Sequence, residues 1–145
     1  MPKIRKCVTA VIFDRAHEPY FLILKRKKEW TGWEFVKGKI ERFETKKMTV
    51  RREVREETGL KILKIKKFPE KGFYKYNKKL KDRPGLIGQT YHLFAVNVRK
   101  GKISLDKKEH NGHKWVSFSE ALKKLTWANQ RKALKIVNKW LNNNE

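Results

Sequence analysis

Three glutamates lie close together in the sequence, at a spacing that suits them to hold a cation. Glu56 and Glu57 follow Glu53 by three and four positions, and on an α-helix these offsets place side chains on one face. Like charges at this spacing oppose each other by about 0.2–0.5 kcal/mol per pair, so the three need a compensating partner. A hard divalent cation is one, because Mg²⁺ prefers oxygen ligands and is commonly held jointly by carboxylates and substrate phosphates.

The alternative to a cation is that this glutamate trio (Glu53, Glu56 and Glu57) pairs with arginines on the helix surface. In that case the trio would pair on a solvated surface with Arg51, Arg52 and Arg55. Acids are scarce in the chain, which has 15 of them against 38 lysines and arginines. Five of the 15 nevertheless fall between positions 38 and 60: Glu41, Glu44, Glu53, Glu56 and Glu57. The residues around the trio decide between the two interpretations.

The segment from position 38 to position 60 resembles the signature of the Nudix hydrolases. That signature is Gly, five residues, Glu, seven residues, Arg-Glu, an aliphatic, any residue, Glu-Glu, any residue, Gly and an aliphatic. The matching residues here are Gly38, Glu44, Arg52, Glu53, Val54, Glu56, Glu57, Gly59 and Leu60. Such a match arises by chance in far fewer than about one in a million windows, unlike short motifs with a real false-positive risk. The chain is therefore identified as a member of this family.

The resemblance implies a role for each of these polar positions. It implies that the trio binds catalytic Mg²⁺ or Mn²⁺ with help from the backbone carbonyl of Gly38, and that Glu44 and Arg52 orient the cluster. The family cleaves pyrophosphate linkages in nucleoside diphosphates joined to another group, and the metal lowers the pKa of the attacking water. Nearby bases are candidate phosphate contacts, with ordinary surface residues as the alternative: Lys25, Arg26, Lys37 and Lys39.

Two positions depart from the pattern of the most similar Nudix group. That group often has Pro before the Lys-Gly that opens the signature and Gly before its first Glu. This chain has Val36 and Phe43 there. We expect the metal chemistry to survive and the loop to follow a different path.

Three further segments resemble the branch that contains diadenosine tetraphosphate hydrolases and RNA 5′-pyrophosphohydrolases. They read WEFVKGK, IGQTYHLFAV and EHNGHKWVSFSEA. In that branch an acid before the Lys-Trp or Arg-Trp strand holds metal or acts as a base, which implies this role for Glu109. A solvated loop acid is the alternative. His110 and His113 are weaker candidates, because loop histidines are usually polar surface.

The same resemblance implies an aromatic pair that stacks on adenine, by position Tyr76 and Trp127. Stacking suits a base because every base has a flat π-face. For Trp127 the alternative is a place in the core with Trp115 and Trp140. Basic residues of the loop after Tyr76 would meet a polyphosphate, or else form an exposed basic surface: Lys79, Lys81 and Arg83.

Three hypotheses for function remain at this stage. The first is hydrolysis of diadenosine polyphosphates, with water attacking an outer phosphate so that one product retains ATP. The second is the same fold acting on RNA 5′-triphosphate ends or on free (deoxy)nucleoside triphosphates. The third is a noncatalytic RNA-binding module, in which the net charge of +23 gives affinity through counterion release. The intact trio argues against the third.

Length and composition limit the architecture that positions these residues. The chain has 145 residues, of which 39% are hydrophobic, and we expect one domain over 1–145. The single Cys7 excludes an internal disulfide and favours a cytoplasmic location. The first apolar run is too short for a signal peptide or a membrane span. The positive charge favours polyanionic partners, RNA included. The sequence does not determine the oligomeric state.

Apolar patterning predicts the order strands, helix, strands, helix. This order favours the α/β (α+β) class, with a mixed β-sheet sandwiched between helices. A helix over 45–58 should end at Gly59, Ser117 or Ser119 should cap a short helix, and the last segment should form an amphipathic helix. A turn is expected at Lys37-Gly38-Lys39. The expected strands cover 7–13, 20–24, 33–36, 60–68, 73–76, 89–98 and 114–116.

Overall fold

A mixed sheet with helices on both faces forms the framework of the molecule. The structure, a computed structural model, describes residues 3–76 and 83–143. The elements are β1 (Lys3–Asp14), β2 (Tyr20–Arg26), β3 (Gly32–Glu34), β4 (Val36–Lys39), α1 (Lys46–Thr58), β5 (Ile62–Lys75), β6 (Leu86–Val98), β7 (His110–Val116), α2 (Phe118–Lys124) and α3 (Ala128–Asn143). The strand order is β3-β2-β1-β6-β5, with β4 paired to β1 and β7 to β2.

The central strand β1 is covered on both sides because its alternate side chains enter two cores. Ile12 packs with Val54 of α1 on one face, and Phe13 packs with Leu134 of α3 on the other. Only the β1–β6 pairing is parallel among the pairings described between named strands. The predicted fold class, a mixed sheet sandwiched between helices, is confirmed. Within the described ranges, no helix is both long and apolar enough to cross a membrane.

Helix α1 carries the glutamate trio between two defined ends. The Thr45 side chain accepts a hydrogen bond from the Met48 amide and caps the N-terminus. Gly59 ends the helix in the left-handed region at φ 73°, where its amide donates to the Arg55 carbonyl. A glycine adopts this conformation without the steric cost of a Cβ. The predicted helix and its terminating glycine are confirmed, as is Ser117 as the cap of α2.

Two local predictions about the strands are wrong. Lys37, Gly38 and Lys39 form no turn, because β4 runs antiparallel to β1 with Gly38 opposite Val8. The two strands expected over 60–68 and 73–76 are one long strand, β5, whose register with β6 shifts between Lys67 and Lys71. Pro69 lies inside that irregularity, and β5 is an edge strand, where a residue without an N–H group is tolerated.

Candidate active site

Arg52 links Glu44, in the loop before α1, to Glu53 on the helix. Its Nε donates to Glu44 Oε2 at 2.8 Å, its Nη1 to Glu53 Oε1 at 2.7 Å and its Nη2 to the Lys39 carbonyl at 2.8 Å. Glu44 also accepts from a backbone amide and a threonine hydroxyl of the same segment. The hydrogen bond with Arg52 lowers the pKa of Glu44 to about 2. Arg52 is thus held by an ionised carboxylate on one side and orients Glu53 on the other.

Glu53 packs directly against the backbone of β4. A Cβ built on Gly38 would overlap the carboxyl carbon of Glu53, so a glycine here permits the close approach of helix and strand. Burial raises the pKa of the Glu53 carboxyl to about 7, although the Arg52 guanidinium acts in the opposite direction. Glu53 and the Gly38 backbone, which the family resemblance assigns to the same metal site, therefore lie together.

Glu57 is the most deeply buried member of the trio. Its Oε2 has no hydrogen-bond partner among residues 3–76 and 83–143. Burial, followed by the charges of Glu53 and Glu109, raises the pKa of Glu57 well above its ordinary value. Glu56 differs, since its side chain is 52% exposed and its Oε2 lies 3.4 Å from Arg52 Nη1. Glu53 and Glu56 thus pair with Arg52, whereas Glu57 is buried and does not.

The donor set around Glu57 fits a divalent cation. Glu109, from the loop before β7, offers a carboxylate oxygen, and His110 offers a ring nitrogen. One such atom from each of the three residues lies within 4.8 Å of the others. A buried carboxylate oxygen without a partner costs free energy unless a positive charge compensates it. These residues match the oxygen-rich, partly buried environment in which such cations bind.

Behind this cluster lies a fully buried carboxylate, Glu34, which holds three cationic or polar groups. Arg26 Nη1 lies 3.1 Å and His110 Nε2 lies 2.7 Å from Glu34 Oε2, and Lys37 Nζ lies 3.2 Å from Oε1. Burial alone would raise the pKa of Glu34, but Lys37, His110 and Arg26 outweigh it and lower the pKa to about 2. Arg26 Nη1 also reaches Glu109 Oε2 at 3.7 Å. The network joins the trio to the strands on the other side of the site.

An aromatic cleft of about 460 Å³ adjoins the acidic cluster. Trp30 and Trp127 meet edge to face in it, with ring centroids 5.2 Å apart, and Tyr74 and Tyr76 line it as well. A smaller cavity of about 110 Å³ contains the trio and Glu109. Three basic residues line both cavities: Arg26, Lys37 and Arg83. Positive charge therefore lies where the aromatic cleft meets the acids.

The remaining predicted substrate contacts have different positions. Trp127 is 42% exposed in the cleft rather than in the core. The Tyr76 hydroxyl donates to Gln89 Oε1 at 2.8 Å, and the Arg83 guanidinium lies 5.5 Å from the centre of the Tyr76 ring. Lys39 has an exposed side chain and contributes its carbonyl to Arg52. The predicted contacts Lys79 and Lys81 lie outside the described residues.

Comparison with known proteins identifies the family of this chain. A sequence model of the NUDIX domain family matches residues 3–136. The chain belongs to the Nudix family. An RNA pyrophosphohydrolase of a Nitratiruptor species is 35% identical to this Nudix protein over 112 residues, which are 74% of this chain and 72% of the relative. Family and relative together make it a Nudix pyrophosphohydrolase, so the noncatalytic hypothesis is wrong.

Solved structures show the same fold over almost the whole length of this Nudix protein. A Nudix hydrolase of Listeria monocytogenes is similar with a TM-score of 0.79 at 25% identity, over 95% of this chain and 94% of the other. An Ap4A hydrolase of C. elegans is similar with a TM-score of 0.79 at 19% identity, over 97% of this chain and 99% of the other.

Sequence reasoning missed three residues of this Nudix site and misjudged a fourth. Glu34 and Trp30 were not singled out, nor was Tyr74. A lone acid between Trp33 and Phe35 in a short strand was a usable signal for Glu34, because buried acids are rare unless paired. His110 was expected at the polar surface, but it is 1% exposed, whereas His113 is exposed as expected.

The loop before Glu44 shows one consequence of the departures from the family pattern. Phe43 has a φ of 67° and is 89% exposed. A residue with a Cβ adopts this region at a cost of about 1–2 kcal/mol, whereas glycine adopts it readily. Phe43 therefore takes a conformation suited to the glycine common at this position, and the expected change of loop path has no support at this residue.

Proposed function

We propose that this Nudix protein hydrolyses diadenosine polyphosphates in a Mg²⁺- or Mn²⁺-dependent reaction. The observation that carries the proposal is the arrangement of Arg26, Lys37 and Arg83 between an aromatic cleft and a cluster of acids. A substrate with a flat base and several phosphates matches this arrangement, since aromatic rings stack on bases and guanidinium groups bind phosphate oxygens.

Each side chain in the site has a task in this proposal. The glutamate trio and the Gly38 carbonyl would hold the cation, and Arg52 keeps Glu53 in place. Trp30, Trp127 and Tyr76 contact one adenine, while Arg26, Lys37 and Arg83 contact the phosphate chain. Glu109 helps hold the cation or takes up a proton from the attacking water.

The proposed reaction adds one water across an outer phosphoanhydride. A divalent cation, when bound, supplies charge neutralisation on phosphate oxygens and lowers the pKa of a coordinated water. The new bond joins the water oxygen to an outer phosphorus, and the bridging P–O bond breaks. Diadenosine tetraphosphate then gives ATP and AMP, with release of two protons when both products are fully ionised. Most of the catalysis in phosphoryl transfer comes from positioning and electrostatics, which is what the fixed carboxylates and cations of this site provide.

A substrate screen tests this proposal. Diadenosine tetraphosphate, ATP, a deoxynucleoside triphosphate, ADP-ribose and a 5′-triphosphorylated RNA are compared by kcat/KM with Mg²⁺ and then with Mn²⁺. We expect diadenosine tetraphosphate to rank first and to yield ATP and AMP in equal amounts. A preference of more than about tenfold for any other substrate, about 1.4 kcal/mol of transition-state stabilisation, would contradict the proposal.

The RNA 5′ end is the second candidate substrate. It has two specific supports, the 35% identity to a protein named RNA pyrophosphohydrolase and the net charge of +23. Charge-driven RNA affinity should fall steeply as salt rises. If RNA were the substrate, its advantage over diadenosine tetraphosphate would exceed about tenfold at low salt and shrink as salt increases.

A further inference from the structure

His110 is a buried histidine between two carboxylates, and only one of its ring nitrogens has a partner. The residue is 1% exposed. Its Nε2 lies 2.7 Å from Glu34 Oε2. Its Nδ1 has no hydrogen-bond partner within the part of the chain that the structure describes. This nitrogen lies on the side of Glu57, 3.9 Å from Glu57 Oε1.

The hydrogen bond to Glu34 fixes which nitrogen of His110 carries the proton. Glu34 is an ionised acceptor that also contacts Arg26 and Lys37, so it has no proton to donate. The Nε2–H group of His110 must therefore be the donor, and a neutral ring then has its lone pair on Nδ1. A carboxylate that holds one ring nitrogen while the other faces outward is the arrangement seen behind metal-binding histidines.

The spacing around Nδ1 suits a shared ion better than a direct contact. A distance of 3.9 Å to Glu57 Oε1 exceeds the hydrogen-bonding range of about 2.7–3.2 Å. Two ligands that each lie about 2.0–2.2 Å from one ion are separated by roughly 3–4 Å. Glu57 Oε2 is buried and also lacks a partner among the described residues, and a ligand atom of Glu109 completes the group within 4.8 Å.

We propose that His110 Nδ1 is a nitrogen ligand of a cation held by Glu57 and Glu109, with Glu34 as the outer carboxylate that orients the imidazole. Imidazole binds first-row transition metals better than it binds Mg²⁺, because Mg²⁺ favours oxygen ligands. This position therefore selects Mn²⁺, Co²⁺ or Zn²⁺ over Mg²⁺. The inference rests on the metal-dependent part of the proposed function and adds a ligand and a metal preference to it.

Nitrogen coordination can be observed directly in the full chain. The metal-free protein is loaded with one equivalent of Mn²⁺ and measured by electron spin echo envelope modulation, with histidine at natural abundance and again after growth with ¹⁵N-histidine. We expect a ¹⁴N coupling that converts to a ¹⁵N coupling on labelling. This measurement needs no variant, so it does not depend on whether a substitution at a buried site folds. Absence of any nitrogen coupling would overturn the inference.

Two variants then assign the coupling to one of the four histidines of the chain. His110→Gln should abolish it and weaken Mn²⁺ binding in calorimetry by at least about tenfold, while Mg²⁺ binding changes less than about threefold. His113→Gln, an exposed histidine of the same strand, should retain both the coupling and the affinity. A coupling that persists in His110→Gln, or an equal loss of Mg²⁺ and Mn²⁺ affinity, would contradict the assignment.

The same measurements separate this inference from the proposed function. Histidine coupling in a protein that hydrolyses none of the screened substrates would refute the proposed function and leave the ligand assignment standing. Efficient hydrolysis of diadenosine tetraphosphate by a Mn²⁺-loaded protein without nitrogen coupling would support the proposed function and refute the ligand assignment.

Discussion

The acidic cluster and the aromatic cleft are neighbouring regions of this Nudix protein that are built in different ways. Most of the cluster comes from one short stretch, the loop before α1 and the helix itself, packed on Gly38 of β4. The cleft draws its aromatic side chains from distant parts of the chain, with Trp30 before β3, Tyr74 in β5 and Trp127 before α3. The residues proposed to hold the cation therefore come mostly from one local segment, whereas those proposed to contact the base are brought together by the tertiary fold.

The two regions also differ in how firmly their side chains are held. Arg52 makes directed hydrogen bonds to Glu44 and Glu53, and Glu57 is buried. In the cleft, Trp127 is partly exposed and packs edge to face on Trp30. We therefore expect changes in the cluster to act mainly on kcat and changes in the cleft mainly on KM.

Glu57→Gln should produce the largest loss of activity. The substitution keeps the shape of the side chain and removes a proposed charged ligand of the cation. A bound cation contributes several kcal/mol of transition-state stabilisation. We expect kcat to fall by at least about 10³-fold, with a thermal midpoint at or above that of the parent protein without metal. The checks are steady-state kinetics and a melting curve.

Glu70→Gln is the matched control, because Glu70 is an exposed carboxylate of β5 outside both cavities. Its kcat should stay within about twofold of the parent value. Near-normal turnover in Glu57→Gln would remove Glu57 from the cation site.

Gly38→Ala should have the next largest effect. The added Cβ overlaps the carboxyl group of Glu53, so the strand or the glutamate must shift at a cost of about 1–3 kcal/mol. We expect lower stability and a fall in kcat of about tenfold or more. Gly112→Ala is the control, since its Cβ would meet Lys25 at an ordinary 3.6 Å. If the two variants behaved alike, the contact between β4 and Glu53 would not be the cause.

Trp127→Ala should weaken substrate binding more than catalysis. Stacking of a base on an aromatic ring is worth about 1–3 kcal/mol, and we expect KM to rise about tenfold while kcat changes less than about threefold. Phe73→Ala is the control, because Phe73 is an exposed aromatic residue whose side chain points away from that of Tyr74 along the strand. A fall in kcat with unchanged KM would contradict the division between the two regions.

The smallest expected effect is a dependence of metal stabilisation on pH. Burial raises the pKa of Glu53 to about 7, above the ordinary value for glutamate, so the folded state favours the protonated acid. Its contribution to stability is present at low pH and is lost as pH rises through about 7. Mg²⁺ competes with the proton for the Glu53 carboxylate. Because the carboxylate is mostly deprotonated at pH 8, Mg²⁺ should raise the thermal midpoint by about 3 °C more at pH 8 than at pH 5.5. An equal shift at both pH values would contradict the burial of a cation-binding glutamate.

Local pattern was sufficient to predict much of the fold. Strands β1 and β2, helix α1 with Gly59 at its end, the cap at Ser117 and the amphipathic α3 follow from apolar spacing and capping residues. The β4 strand was misread because Lys-Gly-Lys is typical of a turn. Its pairing with β1 is a long-range contact that cannot be read from local sequence, and Gly38 allows close packing against Glu53.

The part of the candidate site that is continuous in the sequence was the easiest to predict. The trio and Arg52 on α1, and Glu44 in the loop before it, were found through their match to the Nudix signature. The buried pairing of Glu34 with Arg26, Lys37 and His110 was not, because it brings separate strands together. Lys37 was predicted as a phosphate contact from its charge alone, and the fold adds a buried partner that local sequence could not reveal.

Crystals soaked in Mn²⁺ provide the most direct test of whether the trio binds divalent cations. An anomalous difference map should contain a peak about 2.0–2.6 Å from carboxylate oxygens of Glu53 and Glu57, and the Glu57→Gln crystal should lose or weaken it. A map without a peak, with Glu53 and Glu56 bound to Arg52 and no cation at Glu57, would show that the trio does not bind divalent cations.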